Sequence, residues 1–173
     1  MLINGAPGAG KSTLACALAQ DRALTLPVDV DGIKHSLGRW SEDAVAAGLH
    51  ARRLSLALVH EHLAAGYDVV MGQYLARTEF MEDLSRLAAQ HGARFWEFIL
   101  EVDEATLAER LTRRAQAPDR AEHRVNNRLV GPGDAGRLVA SVNALRPLRP
   151  DAIWLDARGS RCLVLGRLRQ LLA

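Results

Sequence analysis

An eight-residue run near the start of the sequence restricts the fold more than any other feature: Gly5-Ala6-Pro7-Gly8-Ala9-Gly10-Lys11-Ser12. It matches the pattern GxxxxGK[ST], with a short apolar stretch before it and an apolar-periodic segment after it. Glycines let the backbone curl so that its N–H groups point inward toward phosphates. A helix that begins at Lys11 adds its positive N-terminal end. The run therefore predicts a phosphate-binding loop between a first strand and a first helix.

Three side chains at the end of this loop have predicted roles toward a nucleoside triphosphate. Lys11 reaches the β- and γ-phosphates, the Ser12 hydroxyl takes a place on Mg²⁺, and Thr13 lies near the α-phosphate. The backbone amides of the loop hold the phosphates themselves. The cofactors predicted from the loop are ATP and Mg²⁺.

Short apolar stretches alternate with helical patterns along the whole chain. Strands are expected at 1–4, 24–29, 68–72, 94–102 and 152–156. Helices are expected at 11–20, 32–37, 42–65, 78–91, 104–115, 134–144 and 161–172, with Ser41 as the N-cap of the third and Asp103 as the N-cap of the fifth. This alternation indicates an α/β fold with a parallel sheet covered on both faces. No linker or repeat divides the 173 residues, so we expect a single domain over 1–173.

Charge and cysteine content argue against several classes of protein. Lys and Arg number 22 against 20 Asp and Glu, and a net charge of +2 makes nucleic acid an unlikely partner. No apolar stretch approaches the ~18 residues of a membrane span, and we expect no signal peptide, because the first predicted strand runs directly into the phosphate loop. Cys16 and Cys162 lack metal-type spacing and fall in apolar helical segments. We therefore expect buried thiols and a cytoplasmic location.

Two further segments carry a family resemblance: Ile3-Asn4-Gly5-Ala6 and Glu109-Arg110-Leu111-Thr112-Arg113-Arg114-Ala115. The phosphate loop makes the sequence resemble the small P-loop kinases, a group that includes adenylate, shikimate and gluconate kinases, chloramphenicol phosphotransferase and the zeta toxins. The two segments add a resemblance to the tunicamycin-resistance protein. The resemblance implies a P-loop NTPase fold with strand order 2-3-1-4-5 and a lid at about 115–128. It also implies ATP-dependent transfer of the γ-phosphoryl group to a hydroxyl of an antibiotic, a sugar or a nucleoside-like molecule.

Two carboxylates follow the second predicted strand, at the edge where doubly wound sheets bind ligands. By resemblance to the antibiotic phosphotransferases and zeta toxins, Asp31 accepts the proton of the attacking hydroxyl and Asp29 holds a water on Mg²⁺. The alternative for Asp31 is a cap on the next helix. The third strand ends in Gln73, where many P-loop proteins carry an Asp. A neutral amide cannot support a metal as a carboxylate does, so Gln73 is a candidate to orient a substrate hydroxyl.

Arginines cluster at the end of the fifth predicted helix and after it. The resemblance assigns Arg114 to contact adenine and Arg120 to reach the transferred phosphoryl group from the lid, with Arg124 and Arg128 as alternatives to Arg120. A guanidinium suits both tasks because it is planar and spans two oxygens at once. Arg113 is expected to be an exposed charge.

The acceptor pocket is expected between residues 31 and 53 and in the loop 73–77. Its candidate residues are Lys34, Arg39, Trp40, Gln73 and Arg77, with His35 and Tyr74 beside them. Trp40 either stacks on a ring of the substrate or packs on the following helix. The spacing of His35, His50, His60 and His62 does not indicate a metal site.

Other functions fit the same residues. A nucleoside monophosphate kinase would grip the acceptor's phosphate with Arg39 and Arg77 and would need no general base. An ATP-binding protein that sequesters a drug without phosphorylating it would account for Gln73. A zeta-like toxin is a further alternative. The sequence leaves open the identity of the acceptor and the choice between monomer and homodimer.

Overall fold

A parallel sheet of five strands lies at the centre of the molecule, in the order β2-β3-β1-β4-β5. The structure, a computed structural model, describes residues 1–116 and 130–173. The strands are β1 (Leu2–Gly5), β2 (Leu26–Val28), β3 (Val69–Gly72), β4 (Glu97–Glu101) and β5 (Ile153–Asp156). All neighbouring strands pair in parallel. The predicted strand order is confirmed.

Helices connect the strands and cover the sheet. They are α1 (Lys11–Ala19), α2 (Val30–Ser36), α3 (Ala44–Ala64), α4 (Glu79–Gln90), α5 (Glu104–Gln116), α6 (Ala135–Asn143) and α7 (Arg161–Leu172). α1 packs against β3 and α7, α3 packs against α4, and α5 packs against α6. Within the described ranges, none of these helices is both long enough and apolar enough to cross a membrane.

The central strands are apolar and buried because helices shield them. Leu2, Ile3, Phe98 and Ile99 are completely buried, and Met71 is almost so. Parallel strands all end at one edge of the sheet, so the loops after β1, β2 and β3 emerge side by side. The phosphate loop, the start of α2 and the loop 73–77 therefore share this edge.

Several boundaries differ from those expected. β2 begins only at Leu26 because Leu24 has a left-handed φ of 59°, and it ends before Asp29, which caps α2. The predicted cap Ser41 is wrong. α3 begins at Ala44, and the side chain of Asp43 accepts a hydrogen bond from the Ala46 N–H at 2.9 Å.

The expectation of buried thiols is also wrong, because Cys16 and Cys162 are both exposed. α1 buries Leu14, Ala15 and Leu18, and Cys16 lies on the other side of that helix. An apolar composition predicts a helix with a core-facing side, but it does not place every small apolar residue on that side.

The predicted lid falls almost entirely on residues that the structure does not describe, 117–129. Arg120, Arg124 and Arg128 lie outside the described residues, and their assignments stay predictions. The single-domain arrangement over 1–173 and the cytoplasmic location also stay predictions.

Candidate active site

The loop between β1 and α1 has a backbone that only glycine adopts easily. Gly8 has φ of 92° and Gly10, the N-cap of α1, has φ of 99°. A Cβ on Gly8 would lie 3.2 Å from Leu111 of α5, and a Cβ on Gly5 would lie 3.0 Å from Leu100 of β4. The glycines therefore allow a left-handed curl and a close approach to neighbouring elements. The result is a curled, glycine-lined cradle between β1 and α1, where the sequence predicts the phosphate-binding loop.

A further glycine, at the end of β3, packs against the start of α1. A Cβ on Gly72 would lie 2.9 Å from the carbonyl carbon and oxygen of Lys11 and 3.0 Å from the Ser12 nitrogen. The strand end thus supports the helix turn that carries Lys11 and Ser12, the predicted nucleotide contacts. This role was not predicted from the sequence, although the glycine that closes the third strand was a visible signal for it.

Lys11 is nearly buried, with 8% of its surface exposed, and its Nζ donates a hydrogen bond to the Ala6 carbonyl oxygen at 2.9 Å. Burial lowers the pKa of Lys11 from 10.5 to about 8. Asp31 opposes that change most strongly, Arg114 adds to it, and Asp29 opposes it more weakly. The structure therefore brings four predicted site residues into one electrostatic group.

The two carboxylates after β2 have different local roles. Asp29 is the N-cap of α2, and its Oδ1 accepts hydrogen bonds from the Asp31 N–H at 3.0 Å and the Gly32 N–H at 3.1 Å. Asp31 lies in the first turn of the helix, so the cap proposed as its alternative role belongs to Asp29. The Asp31 carboxylate accepts no hydrogen bond within residues 1–116 and 130–173 and acts electrostatically on Lys11.

The residues at this edge fit a magnesium nucleotide. The half-buried Ser12 follows Lys11 in the first turn of α1, and Asp29 and Asp31 supply the hard oxygen donors that Mg²⁺ prefers. In the described part of the chain, no group of three or more His, Cys, Asp or Glu residues is placed to hold a metal. A magnesium ion would therefore need the phosphate oxygens of the nucleotide among its ligands.

Asn4 connects the phosphate loop with the loop after β3. It is completely buried. Its Oδ1 accepts hydrogen bonds from the Gly5 N–H at 2.7 Å and the Leu75 N–H at 2.9 Å. Its Nδ2 donates to the Leu75 carbonyl oxygen at 3.0 Å. Asn4 belongs to a segment that carries the family resemblance, but no role was predicted for it. Its signal was a polar residue within a buried strand.

The acceptor candidates near α2 form two separate groups. The Lys34 Nζ lies 5.0 Å from the centre of the Trp40 ring, and the centres of the His35 and Trp40 rings are 4.5 Å apart. Trp40 therefore contacts two residues of α2. Arg39 has a left-handed φ of 55°, is exposed, and forms an ion pair with Glu42 at 2.6 Å.

The loop 73–77 is held to the rest of the molecule through its first residues. The Gln73 N–H donates to the Ile3 carbonyl oxygen at 3.1 Å, and the Tyr74 hydroxyl lies 2.9 Å from Ser141 Oγ of α6. Gln73 is half-buried directly after Gly72, whereas Arg77 is exposed. Of the loop's candidates, Gln73 is thus the one that directly follows Gly72, whose backbone lies against Lys11 and Ser12.

The end of α5 carries arginines with three different surroundings. Arg114 is half-buried and acts on Lys11. Arg113 is exposed, as expected, and pairs with Glu109 at 2.5 Å. Arg110, which had no predicted role, donates from Nη2 to the carbonyl oxygens of 157, 158 and 159 at 2.7, 3.1 and 3.2 Å. It thereby fastens α5 to the loop after β5.

A cavity of about 560 Å³ opens at the opposite edge of the sheet. Its lining includes Thr25, Val69 and Trp96, near the beginnings of three strands, and none of its lining residues belongs to the phosphate loop. The candidate active site is therefore defined by the glycine-lined cradle and its charged groups and not by this cavity.

Comparisons with known proteins agree with the geometry. The model of the AAA_33 family, described as an AAA domain, matches residues 1–130. A comparison with curated protein sequences finds no significant match. Among solved structures, the chain is similar to a gluconokinase from Sinorhizobium meliloti 1021, with 18% identity, a TM-score of 0.62, and coverage of 99% of this chain and 93% of the other.

Two further structures are similar over nearly their whole length. The Deinococcus radiodurans tunicamycin resistance protein has 16% identity and a TM-score of 0.65, covering 100% of this chain and 94% of the other. A shikimate kinase from Bacteroides thetaiotaomicron has 20% identity and a TM-score of 0.63, covering 99% and 96%. At these identities the likeness shows a shared fold. With the cradle at Gly5–Ser12 and the family match over 1–130, the chain belongs to the AAA_33 family of P-loop proteins.

Proposed function

We propose that this protein transfers the γ-phosphoryl group of ATP to a hydroxyl of a small molecule. One observation carries the proposal: the glycine-rich loop with the buried Lys11 lies at the same carboxyl edge of the sheet as Asp31, which is in the first turn of α2. Asp31 also favours the charged form of Lys11 against the effect of burial on its pKa. A carboxylate is thus grouped with the ammonium that would hold the γ-phosphate, where an acceptor hydroxyl would approach. The carboxyl edge of a parallel sheet is also where such folds bind ligands.

In the proposed reaction, the acceptor oxygen forms a bond to the γ-phosphorus while the bond from that phosphorus to the β,γ-bridging oxygen breaks, and ADP leaves. The hydroxyl proton passes to the Asp31 carboxylate. The transition state is loose, so Asp31 mainly orients the hydroxyl and takes its proton late. Lys11 and the loop amides stabilise the charge on the phosphate oxygens. Mg²⁺, when bound through Ser12 and Asp29, neutralises phosphate charge.

Other parts of the proposal rest on the family resemblance. Arg114 is the proposed adenine contact, and Arg120 is the proposed lid arginine that reaches the transferred group. Gln73 is the proposed contact to a substrate hydroxyl. The names gluconokinase and shikimate kinase among the structural neighbours favour a small-molecule acceptor for this chain as well.

The test is mass spectrometry of reactions that contain ATP, Mg²⁺ and pooled sugars, nucleosides, nucleotides and antibiotics. We expect a product heavier by one phosphoryl group with the wild-type protein and none with Lys11→Ala. ATP binding without any product would favour the drug-sequestering alternative.

Asp31→Asn tests the general base. We expect it to lower the rate of transfer by about 10²- to 10⁴-fold, the usual contribution of such a group. Asp31 also helps to keep Lys11 charged, so ATP affinity is measured by calorimetry well below the Lys11 pKa of about 8, where it should stay close to wild type. Wild-type turnover in Asp31→Asn would contradict the assignment.

Arg39→Ala and Arg77→Ala distinguish a nucleoside monophosphate kinase. Both side chains are exposed and Arg39 is paired with Glu42, so we expect small effects on transfer to a hydroxyl. Loss of all activity in both variants would favour a phosphate acceptor.

A further inference from the structure

Asn4 makes a set of hydrogen bonds that joins two segments far apart in the sequence. Its carboxamide holds the first amide of the phosphate loop, at Gly5, and both backbone polar groups of Leu75. Gly5 belongs to the nucleotide side of the site, and Leu75 is the middle residue of the loop 73–77 on the proposed acceptor side. One buried side chain therefore sets the distance between the two sides.

The pattern of donors and acceptors requires asparagine. The oxygen accepts twice and the nitrogen donates once within a completely buried position. Aspartate would keep the two acceptor bonds but would place a carboxylate oxygen against the Leu75 carbonyl. Leucine would leave the three backbone groups without these partners in the interior, which costs about 1–3 kcal/mol for each group.

The acceptor-side loop is anchored at three successive residues. Besides Leu75, Gln73 bonds through its backbone to Ile3 and Tyr74 bonds through its hydroxyl to Ser141. The Leu75 side chain is itself buried, with 3% exposed. Two of these anchors, at Gln73 and Leu75, lead to β1, so this loop shifts only if the end of β1 shifts with it.

We propose that Asn4 is a positioning residue that couples nucleotide binding in the phosphate loop to the order of the loop 73–77. The proposal rests on the proposed function, because it takes the loop 73–77 to be the acceptor side. When a nucleotide orders the phosphate loop, the Gly5 amide and the Asn4 carboxamide become more rigid, and Leu75 follows. Coupling of this kind is measurable as a change at one site caused by a ligand at the other.

The test is amide hydrogen exchange with and without a non-hydrolysable ATP analogue, read by mass spectrometry. In wild type we expect the analogue to slow exchange in peptides covering 73–77 by at least about fivefold, the lower end of usual coupling between sites. In Asn4→Asp we expect that slowing to be lost while the phosphate-loop peptide is still protected by the analogue. If the role of Asn4 were merely structural, Asn4→Asp would raise the exchange rate of the peptides covering 73–77 equally with and without the analogue.

Ser55→Ala is the matched control. Ser55 is also completely buried, and its Oγ donates to the Ala51 carbonyl oxygen at 2.7 Å within α3, away from both loops. This variant removes a buried polar bond and should keep the wild-type coupling. Asn4→Ser, which keeps one donor and one acceptor, replaces Asn4→Asp if the charged variant does not fold.

The outcomes separate this proposal from the proposed function. Absence of slowing at 73–77 in wild type, or wild-type slowing in a folded Asn4 variant, would overturn the coupling even if the phosphorylated product forms. Loss of slowing in the Asn4 variant, with no phosphorylated product from wild type, would support the coupling and contradict the proposed function.

Discussion

Lys11 keeps its amine in a nearly buried place where the ammonium form is disfavoured. Burial lowers its pKa to about 8, and Asp31 and Asp29 limit the change. An amine with this pKa is mostly charged at neutral pH. It loses its proton at a pH more than two units lower than the pH at which a lysine in water does so. The bound phosphates of a nucleotide would favour the charged form further. The ligand and the proton therefore bind to the same side chain cooperatively.

This linkage predicts a pH dependence of ATP affinity. A polyphosphate binds the protonated form of Lys11, so affinity should be constant below the pKa and weaken as pH rises through about 8. The loss should approach tenfold per pH unit until the pKa of the complex is reached. Calorimetric titration with a non-hydrolysable ATP analogue from pH 7 to 9.5, at saturating Mg²⁺, measures it.

Lys11→Met is the control for that titration. It should bind more weakly and show no loss of affinity centred near pH 8. Constant wild-type affinity up to pH 9.5, together with the same affinity in Lys11→Met, would show that the Lys11 charge does not contribute to binding.

Contacts between elements decide how well the phosphate loop is supported. The first turn of α1 lies against the carboxyl end of β3 in space, and the lack of a side chain at Gly72 lets the two backbones approach each other. Helix caps act more locally: Asp103 accepts the Thr106 N–H at 2.8 Å, as the sequence predicts. A cap depends on residues within one turn, whereas the Gly72 contact depends on which strand lies beside α1.

Gly72→Ala should destabilise the protein and weaken nucleotide binding together. Its Cβ would press on Lys11 and Ser12 backbone atoms at 2.9–3.0 Å, and overpacking of this kind costs about 1–3 kcal/mol. Urea unfolding gives the free energy of unfolding, and calorimetry gives the affinity for the ATP analogue.

Gly48→Ala provides the opposite case within α3. A Cβ there meets nothing within 4 Å, so the helix preference of alanine should raise the free energy of unfolding by about 0.5–1 kcal/mol. Nucleotide affinity should not change. Equal effects of the two alanine variants would refute the argument from the Gly72 contact.

At the scale of the whole molecule, stability and chemistry are concentrated at different edges of the sheet. The candidate active site follows the carboxyl ends of β1, β2 and β3. At the start of β4, Glu97 is paired with Arg149, whose Nε and Nη2 lie 3.0 and 2.5 Å from Glu97 Oε2. The two side chains are only 6% and 19% exposed. This pair joins β4 to the turn before β5.

Arg149→Met should therefore reduce stability without changing the site. It leaves the Glu97 carboxylate buried without its partner, which costs about 3–5 kcal/mol in comparable cases. Adding Glu97→Gln should recover part of that loss, because the uncompensated charge is removed. Urea unfolding gives the free energy of unfolding of both variants. The affinity for the ATP analogue, measured at urea concentrations where the variants are still folded, should match that of wild type. A double variant less stable than Arg149→Met would contradict this explanation.

The sequence by itself determined the features that depend on neighbouring residues. The glycine and lysine pattern at Gly5–Ser12 predicted the phosphate loop, and periodicity with caps such as Asp103 predicted most helices. These succeed because backbone freedom, capping and side-chain spacing act within one or two turns of chain. The strand order came from family resemblance, and the structure confirms it.

Only the tertiary structure decided the contacts between distant segments. It joined Asn4 to Leu75, Gly72 to Lys11 and Arg110 to the loop after β5, and it turned both cysteines outward. No local pattern specifies these contacts, because each depends on which strands become neighbours and on which face of a helix the completed core covers.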